Sequence, residues 1–110
     1  AKMHAIVEDV VEASHNGIVS WEIKSNVQPI LLQGKDDYEK TKERWIIFEE
    51  YFNKNGIKFK KITSIEGDII SKIVNLIYIL DYASIYLAVI NKIDPTPVYA
   101  IDYIKNKLNN

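Results

Sequence analysis

The chain has 110 residues, 47% of them hydrophobic, and a formal net charge of -1 at pH 7. This length can bury one hydrophobic core, which predicts a single domain. The near-neutral charge leaves no basic face, so neither duplex nucleic acid nor an anionic membrane is expected as a partner. The absence of cysteine excludes disulfides, thiolate nucleophiles and cysteine zinc sites, and it fits a cytoplasmic location.

The first third of the chain predicts a helix followed by a buried strand. Apolar residues recur at helical spacing from Met3 to Val11, which predicts an amphipathic helix that ends between residues 14 and 17. The stretch from Gly17 to Ile23 alternates like a strand but also fits a short helix, so both structures stay open. Val27 to Leu32 is apolar apart from Gln28, which predicts a strand that is buried on both faces, and Pro29 places this strand near a sheet edge or a bulge.

The middle of the chain predicts a second helix and a second strand. Asp36 and Glu39 have the spacing of a capping box, and apolar positions follow at intervals of three and four from Tyr38 to Phe52. Gly56 is placed to end this helix. The alternation from Ile57 to Ile62 predicts a strand whose lysines face solvent.

The last third of the chain predicts two helices. Gly67 and Asp68 open a long apolar helix that runs to about Asn91, and Pro97 begins a final one. The most apolar stretch, Ile69 to Leu80, is shorter than the roughly 20 residues that span a bilayer, so we predict a core helix rather than an anchor. Strands joined by helical crossovers predict a three-layer α/β sandwich with a parallel sheet flanked by helices.

Metal and phosphate-loop chemistry find little support in the sequence. His4, Glu8 and Glu12 are spaced four apart on one predicted helix face, and Glu12 to His15 is an i, i+3 pair. Such sites need ligands from a second helix, which this chain does not offer, so no metal site is predicted. The four glycines are scattered singly, which gives no phosphate-binding loop or dinucleotide fingerprint.

His15 is the residue whose pattern allows acid/base chemistry. It lies at the end of the first predicted helix and is followed by Asn16 and Gly17, so its ring can project from a turn. An imidazole near pH 7 can both give and take a proton. The spacing alone leaves two interpretations open, a catalytic histidine or one that merely caps a helix.

Two segments carry a resemblance to a known family. SHNGIVSW, residues 14–21, and DYASIYLAVINKIDPTPVYAIDYIKNKL, residues 81–108, resemble in order and separation the C-terminal sugar isomerase (SIS) domain of bifunctional phosphoglucose/phosphomannose isomerases. The second segment follows the family patterns D-x-x-S-x-Y-L-A, D-P-T-P-V and I-x-x-L-K. Ile104 stands for the leucine of the last pattern, and Gly17 stands where the family usually has an acidic residue.

The resemblance implies a fold and an activity. Residues 1–110 would form the C-terminal SIS domain of a two-domain enzyme, with a five-stranded parallel sheet between helices. The enzyme would interconvert glucose 6-phosphate or mannose 6-phosphate with fructose 6-phosphate through a cis-enediol, without metal or cofactor, in glycolysis and gluconeogenesis. Ala1 and Lys2 look like the end of the family motif N-E-N-A-K, so its catalytic glutamate would precede Ala1. The N-terminal SIS domain would also lie outside this chain, and the isolated chain is expected to be inactive.

The resemblance also implies site residues and partners. His15 matches the histidine that opens the pyranose ring of the phosphorylated hexose at the partner subunit's active site, which implies a homodimer. Lys105 matches a catalytic lysine, Thr96 a threonine that leaves room for both C2 epimers, and Asn16 a substrate-binding residue. The apolar helix from Ile69 to Ile90 would then be covered by a second copy or by the missing N-terminal domain.

Two other functions stay open at this stage. The first is a non-catalytic, sugar-phosphate-binding SIS domain of a regulator, because the base is not within the chain. The second is a plain interaction module in which His15 only caps its helix.

Overall fold

The computed structural model describes residues 5–24 and 26–108. Four α-helices, one 3₁₀ helix and two strands follow one another in these ranges: α1 Val10–Ala13, the 3₁₀ helix Gly17–Glu22, β1 Ile30–Gln33, α2 Glu39–Lys54, β2 Lys60–Thr63, α3 Ile69–Ile90 and α4 Tyr99–Leu108. The contacts divide the described residues into two compact units, Ala5–Ile77 and 78–108, and α3 runs from the first into the second.

The first unit is built on a parallel pair of strands. β1 and β2 pair in register from Ile30 opposite Lys60 to Gln33 opposite Thr63, and α2 is the crossover between them. Parallel strands need such a crossover, so this βαβ unit agrees with the predicted α/β class. The sheet has two strands in the described part of the chain, which is compatible with an SIS domain but does not establish a three-layer sandwich.

One face of β1 is covered and the other is open. Leu31 is buried in a cluster with Phe48 and Phe52 of α2. Its neighbours Ile30 and Leu32, which point to the opposite face of the sheet, are 48% and 36% exposed. The expectation that this strand is buried on both faces was therefore wrong within the described residues, because Leu31 packs against α2 while Ile30 and Leu32 stay partly exposed.

An aromatic core holds the first unit together. Phe52 is 1% exposed, and its ring centroid lies 5.3 Å from Trp21 and 5.7 Å from both Phe48 and Phe59. These rings come from the 3₁₀ helix, from α2 and from the residue before β2. Because edge-to-face aromatic contacts add to the free energy of burial, Phe52 joins these segments of the first unit.

The N-terminal helix is much shorter than predicted. α1 begins at Val10, because the Asp9 carboxylate accepts hydrogen bonds from the N–H groups of Val11 and Glu12. Residues 5–9 are not helical, while Met3 and His4 lie outside the described residues. Within the segment that stayed open, Gly17 to Ile23, residues Gly17–Glu22 form a 3₁₀ helix, so the short-helix alternative is confirmed.

The ends of α2 show one wrong and one confirmed prediction. Tyr38, not Asp36, is the N-cap of α2, so the predicted capping box does not form. Gly56 does end the helix with a φ of 67°. The N–H of Ile57 bonds the Phe52 carbonyl at 2.8 Å and that of Gly56 bonds the Asn53 carbonyl at 3.2 Å, which is a Schellman motif.

The second unit is helical and exposes most of its apolar residues. Ala88 is the one buried residue among those described in 78–108. Tyr78, Tyr82 and Tyr86 lie along one face of α3, with ring centroids 4.7 and 6.4 Å apart. The final helix begins at Tyr99, two residues after the proline that was predicted to open it.

By length and composition, α3 could cross a membrane. It has 22 residues, whereas the stretch considered in the sequence ended at Leu80. Apolar core helices of soluble proteins meet the same criterion, so this property does not separate the two cases.

Candidate functional site

His15 and Asn16 form a turn directly after α1. Their backbone N–H groups both donate to the Glu12 carbonyl at 2.9 Å, and both residues are exposed. The Asn16 side-chain amide also donates to the Glu12 carboxylate, at 2.5 Å. The turn therefore presents the imidazole to solvent while the neighbouring amide is held against the preceding helix.

Three further side chains, those of Ser14, Arg44 and Glu8, shape this turn. The Ser14 hydroxyl donates to the Val11 carbonyl at 2.7 Å and accepts a hydrogen bond from Arg44 Nη1 at 2.8 Å. On the other side, the Glu8 carboxylate fills the space that a Cβ at Gly17 would need. A larger residue at position 17 would displace Glu8, so glycine at this position permits the observed arrangement.

Thr96 and Lys105 belong to the second unit. The Thr96 N–H donates to the Asp94 carboxylate at 2.9 Å, and Thr96 is exposed between Pro95 and Pro97. Because proline fixes φ, the two prolines restrict the backbone on both sides of this threonine. Lys105 is exposed in the last turn of α4. The structure thus places Thr96 and Lys105 in one unit, and His15 and Asn16 in the other.

The described residues contain no cluster of metal-ligating side chains. No group of three or more histidine, aspartate or glutamate side chains within residues 5–24 and 26–108 is arranged to hold a metal ion. His4, the first member of the pattern noted in the sequence, lies outside these residues.

Arg44 is the site-adjacent residue that the sequence reasoning missed. A cavity of about 230 Å³ lies beneath the turn, and six residues line it: Ser14, Ile18, Arg44, Ile47, Phe48 and Tyr51. The one feature of the sequence that could have drawn attention to Arg44 is that it is the single arginine of the chain. Its bond to Ser14 joins residues 30 positions apart, so the sequence could not reveal the contact.

Two pairs of oppositely charged side chains lie near the carboxyl ends of the strands. Lys72, whose side chain is 15% exposed, donates to the Asp36 carboxylate at 2.8 Å. This hydrogen bond and the positive charge of Lys72 lower the pKa of Asp36. Burial raises the pKa of Glu49, but hydrogen bonds from Lys61 and Gln33 outweigh it, so the net pKa of Glu49 is lowered. These bonds connect β1 and β2 to α2, and they connect the segment after β1 to α3.

These lowered pKa values predict a loss of stability in acid. A carboxylate whose pKa is lower in the folded state stabilises the fold above its unfolded pKa, about 3.9 for Asp and 4.3 for Glu, and this contribution disappears as pH falls through the folded pKa. We measure the urea concentration at which half of the first unit is unfolded by tryptophan fluorescence. We expect this concentration to decrease when the pH is lowered below about 4. The Asp36→Asn, Glu49→Gln double variant should show a smaller fall. An identical pH dependence in that variant would exclude these two groups as a cause.

Comparisons with known proteins identify the family. The family profile described as "Bacterial phospho-glucose isomerase C-terminal SIS domain" matches residues 1–108. A curated relative, the bifunctional phosphoglucose/phosphomannose isomerase of Caldicellulosiruptor bescii, is 33% identical over 101 residues, which cover 88% of this chain and 30% of that protein. The chain therefore spans less than a third of the length of this relative. No solved structure gives a significant match.

The resemblance found in the sequence is thereby confirmed. The match covers both segments that carried it, residues 14–21 and 81–108, together with the βαβ unit between them. The chain belongs to the family of bacterial phospho-glucose isomerase C-terminal SIS domains.

Proposed function

We propose that this chain is the C-terminal domain of a phosphosugar isomerase that interconverts glucose 6-phosphate or mannose 6-phosphate with fructose 6-phosphate. Family membership supports an isomerase, and the name of the Caldicellulosiruptor bescii relative supports activity on both sugars. Within the chain, the observation that carries the proposal is the exposed His15 on a turn held by hydrogen bonds on both sides.

The role that we assign to His15 is opening of the pyranose ring. The imidazole takes the proton of the C1 hydroxyl and delivers a proton to the ring oxygen O5. The C1–O5 bond then breaks, C1 becomes an aldehyde, and O5 becomes the C5 hydroxyl. A group that both accepts and donates a proton near neutral pH suits this step, and it must reach solvent-borne sugar, as an exposed turn allows.

The later proton transfer between C1 and C2 needs a base and fixed positive charge. Removal of the C2 proton by the base gives a cis-enediolate with negative charge on oxygen, which a nearby ammonium group stabilises before protonation to the cis-enediol, and we assign this role to Lys105. Thr96, held between two prolines, would border the C2 substituent, and Asn16 would bind a sugar hydroxyl. The base would be a glutamate in the protein segment that precedes Ala1.

The proposed enzyme is cytoplasmic and homodimeric, and it includes an N-terminal SIS domain. The exposed apolar residues of α3 support further burial in a larger assembly, because Tyr78, Tyr82 and Tyr86 are 60%, 47% and 64% exposed. Aromatic residues are enriched at protein interfaces. In the proposed dimer, His15 would serve the active site of the other subunit.

An activity assay on the longer protein tests the proposal. Protein that contains this chain and its preceding domain should convert both glucose 6-phosphate and mannose 6-phosphate to fructose 6-phosphate, whereas residues 1–110 alone should convert neither. Binding of sugar phosphates without conversion by the longer protein would favour a regulator instead. Conversion by the isolated chain would contradict the placement of the base outside it.

A further inference from the structure

Arg44 links the core helix α2 to the turn that carries His15. Its Nη1 atom donates to the Ser14 hydroxyl at 2.8 Å, and Ser14 immediately precedes His15. The same hydroxyl donates to the Val11 carbonyl at 2.7 Å, so it is engaged both as donor and as acceptor. Arg44 is therefore the side chain that fixes the Ser14 hydroxyl from outside the turn.

Arg44 has no acidic partner among the described residues. Among the described residues, every ion pair is formed by a lysine, and no carboxylate lies within ion-pair distance of Arg44. A half-buried guanidinium has usually lost part of its water and needs hydrogen-bond acceptors in exchange. Here the acceptor that the protein supplies is the neutral hydroxyl of Ser14. The guanidinium therefore bonds the turn and not a carboxylate.

The surroundings of Arg44 are mainly apolar. Its side chain lines the cavity beneath the turn together with Ile18, Ile47 and Tyr51. The aliphatic part of a long charged side chain commonly lies along apolar surface while its charged end reaches a polar partner, which here is the Ser14 hydroxyl. α2 is anchored in the core through Phe48 and Phe52, so the bond transmits the rigidity of the core to the turn.

We propose that Arg44 is a positioning residue for His15, which it orients through the Ser14 hydroxyl. This inference rests on the ring-opening role proposed above for His15. Loss of the bond leaves the imidazole chemically intact but lets the turn move relative to α2. Because small displacements of an acid/base group reduce rates strongly, the ring-opening step should slow by about 10- to 100-fold.

Steady-state kinetics of the longer protein with two substrates test this proposal. One substrate is glucose 6-phosphate, and the other is an analogue that lacks the C4 and C5 hydroxyls and therefore stays open. Arg44→Met and Ser14→Ala should each lower kcat for glucose 6-phosphate by about 10- to 100-fold and leave the open analogue unchanged. The double variant should be no slower than Ser14→Ala, because that variant already lacks the bond between Arg44 and Ser14. Arg44→Lys, which keeps a donor, should recover part of the rate.

Lys40→Gln is the matched control, because Lys40 lies on the same helix one turn earlier and pairs with Glu43 at 2.8 Å. It should leave both rates unchanged. Equal slowing of both substrates by Arg44→Met, or multiplied losses in the double variant, would overturn the positioning role. If His15→Asn slows ring opening while Arg44→Met does not, this inference fails and the proposed function stands. If His15→Asn has no effect, the ring-opening role of His15 fails together with this inference, while conversion of the sugar phosphates by the longer protein still tests the isomerase activity.

Discussion

Replacing His15 by Asn in the longer protein is expected to slow isomerisation of cyclic glucose 6-phosphate by about 100- to 10,000-fold. Asparagine keeps a polar side chain of similar size, but its amide is a poor proton acceptor and a poor proton donor, so it cannot shuttle a proton between the C1 hydroxyl and O5. His15 is exposed and its turn is bonded through neighbouring residues, so the substitution should leave the fold intact. The measurement is the initial rate of fructose 6-phosphate formation.

The open-chain analogue separates ring opening from the later proton transfer. It bypasses the step assigned to His15, so His15→Asn should retain nearly the full rate with it. Equal losses with the open and cyclic substrates would assign His15 to the proton transfer itself or to binding. No loss with either substrate would favour the interpretation of His15 as a residue that only ends its helix.

Replacing Phe52 by Ala is expected to lower the free energy of unfolding of the first unit by about 3–5 kcal/mol. Phe52 is 1% exposed and contacts the rings of Trp21, Phe48 and Phe59. The substitution removes these contacts and leaves a cavity where the 3₁₀ helix, α2 and the start of β2 meet. Because domains of this size are stable by only about 5–15 kcal/mol, the loss is a large fraction of the total.

Urea unfolding followed by tryptophan fluorescence measures this effect, because Trp21 contacts Phe52 directly. Ile46→Ala is the control, since Ile46 lies on the same helix and is 56% exposed. It should cost less than about 1 kcal/mol, because more than half of its surface stays exposed to water in the folded state. A similarly small loss for Phe52→Ala would show that Phe52 is not the centre of the core.

The sequence by itself determined the family, the α/β order and the elements whose signals are local. The patterns in residues 81–108 carried the resemblance that the family comparison confirms. Gly56 ended α2 as predicted, because a left-handed residue closes a Schellman motif through bonds within a few residues. The two parallel strands followed from an apolar run and an alternating run that are joined by a helical crossover.

The tertiary structure decided which partner each polar side chain takes. Asp36 had the spacing of a capping box, yet it binds Lys72, which lies 36 residues further along the chain. Arg44 had no distinctive local pattern, yet it reaches Ser14 across 30 residues and holds the turn of His15. Such pairs form because packing brings distant groups together and half-buried charges then take the acceptors within reach, which local spacing does not encode.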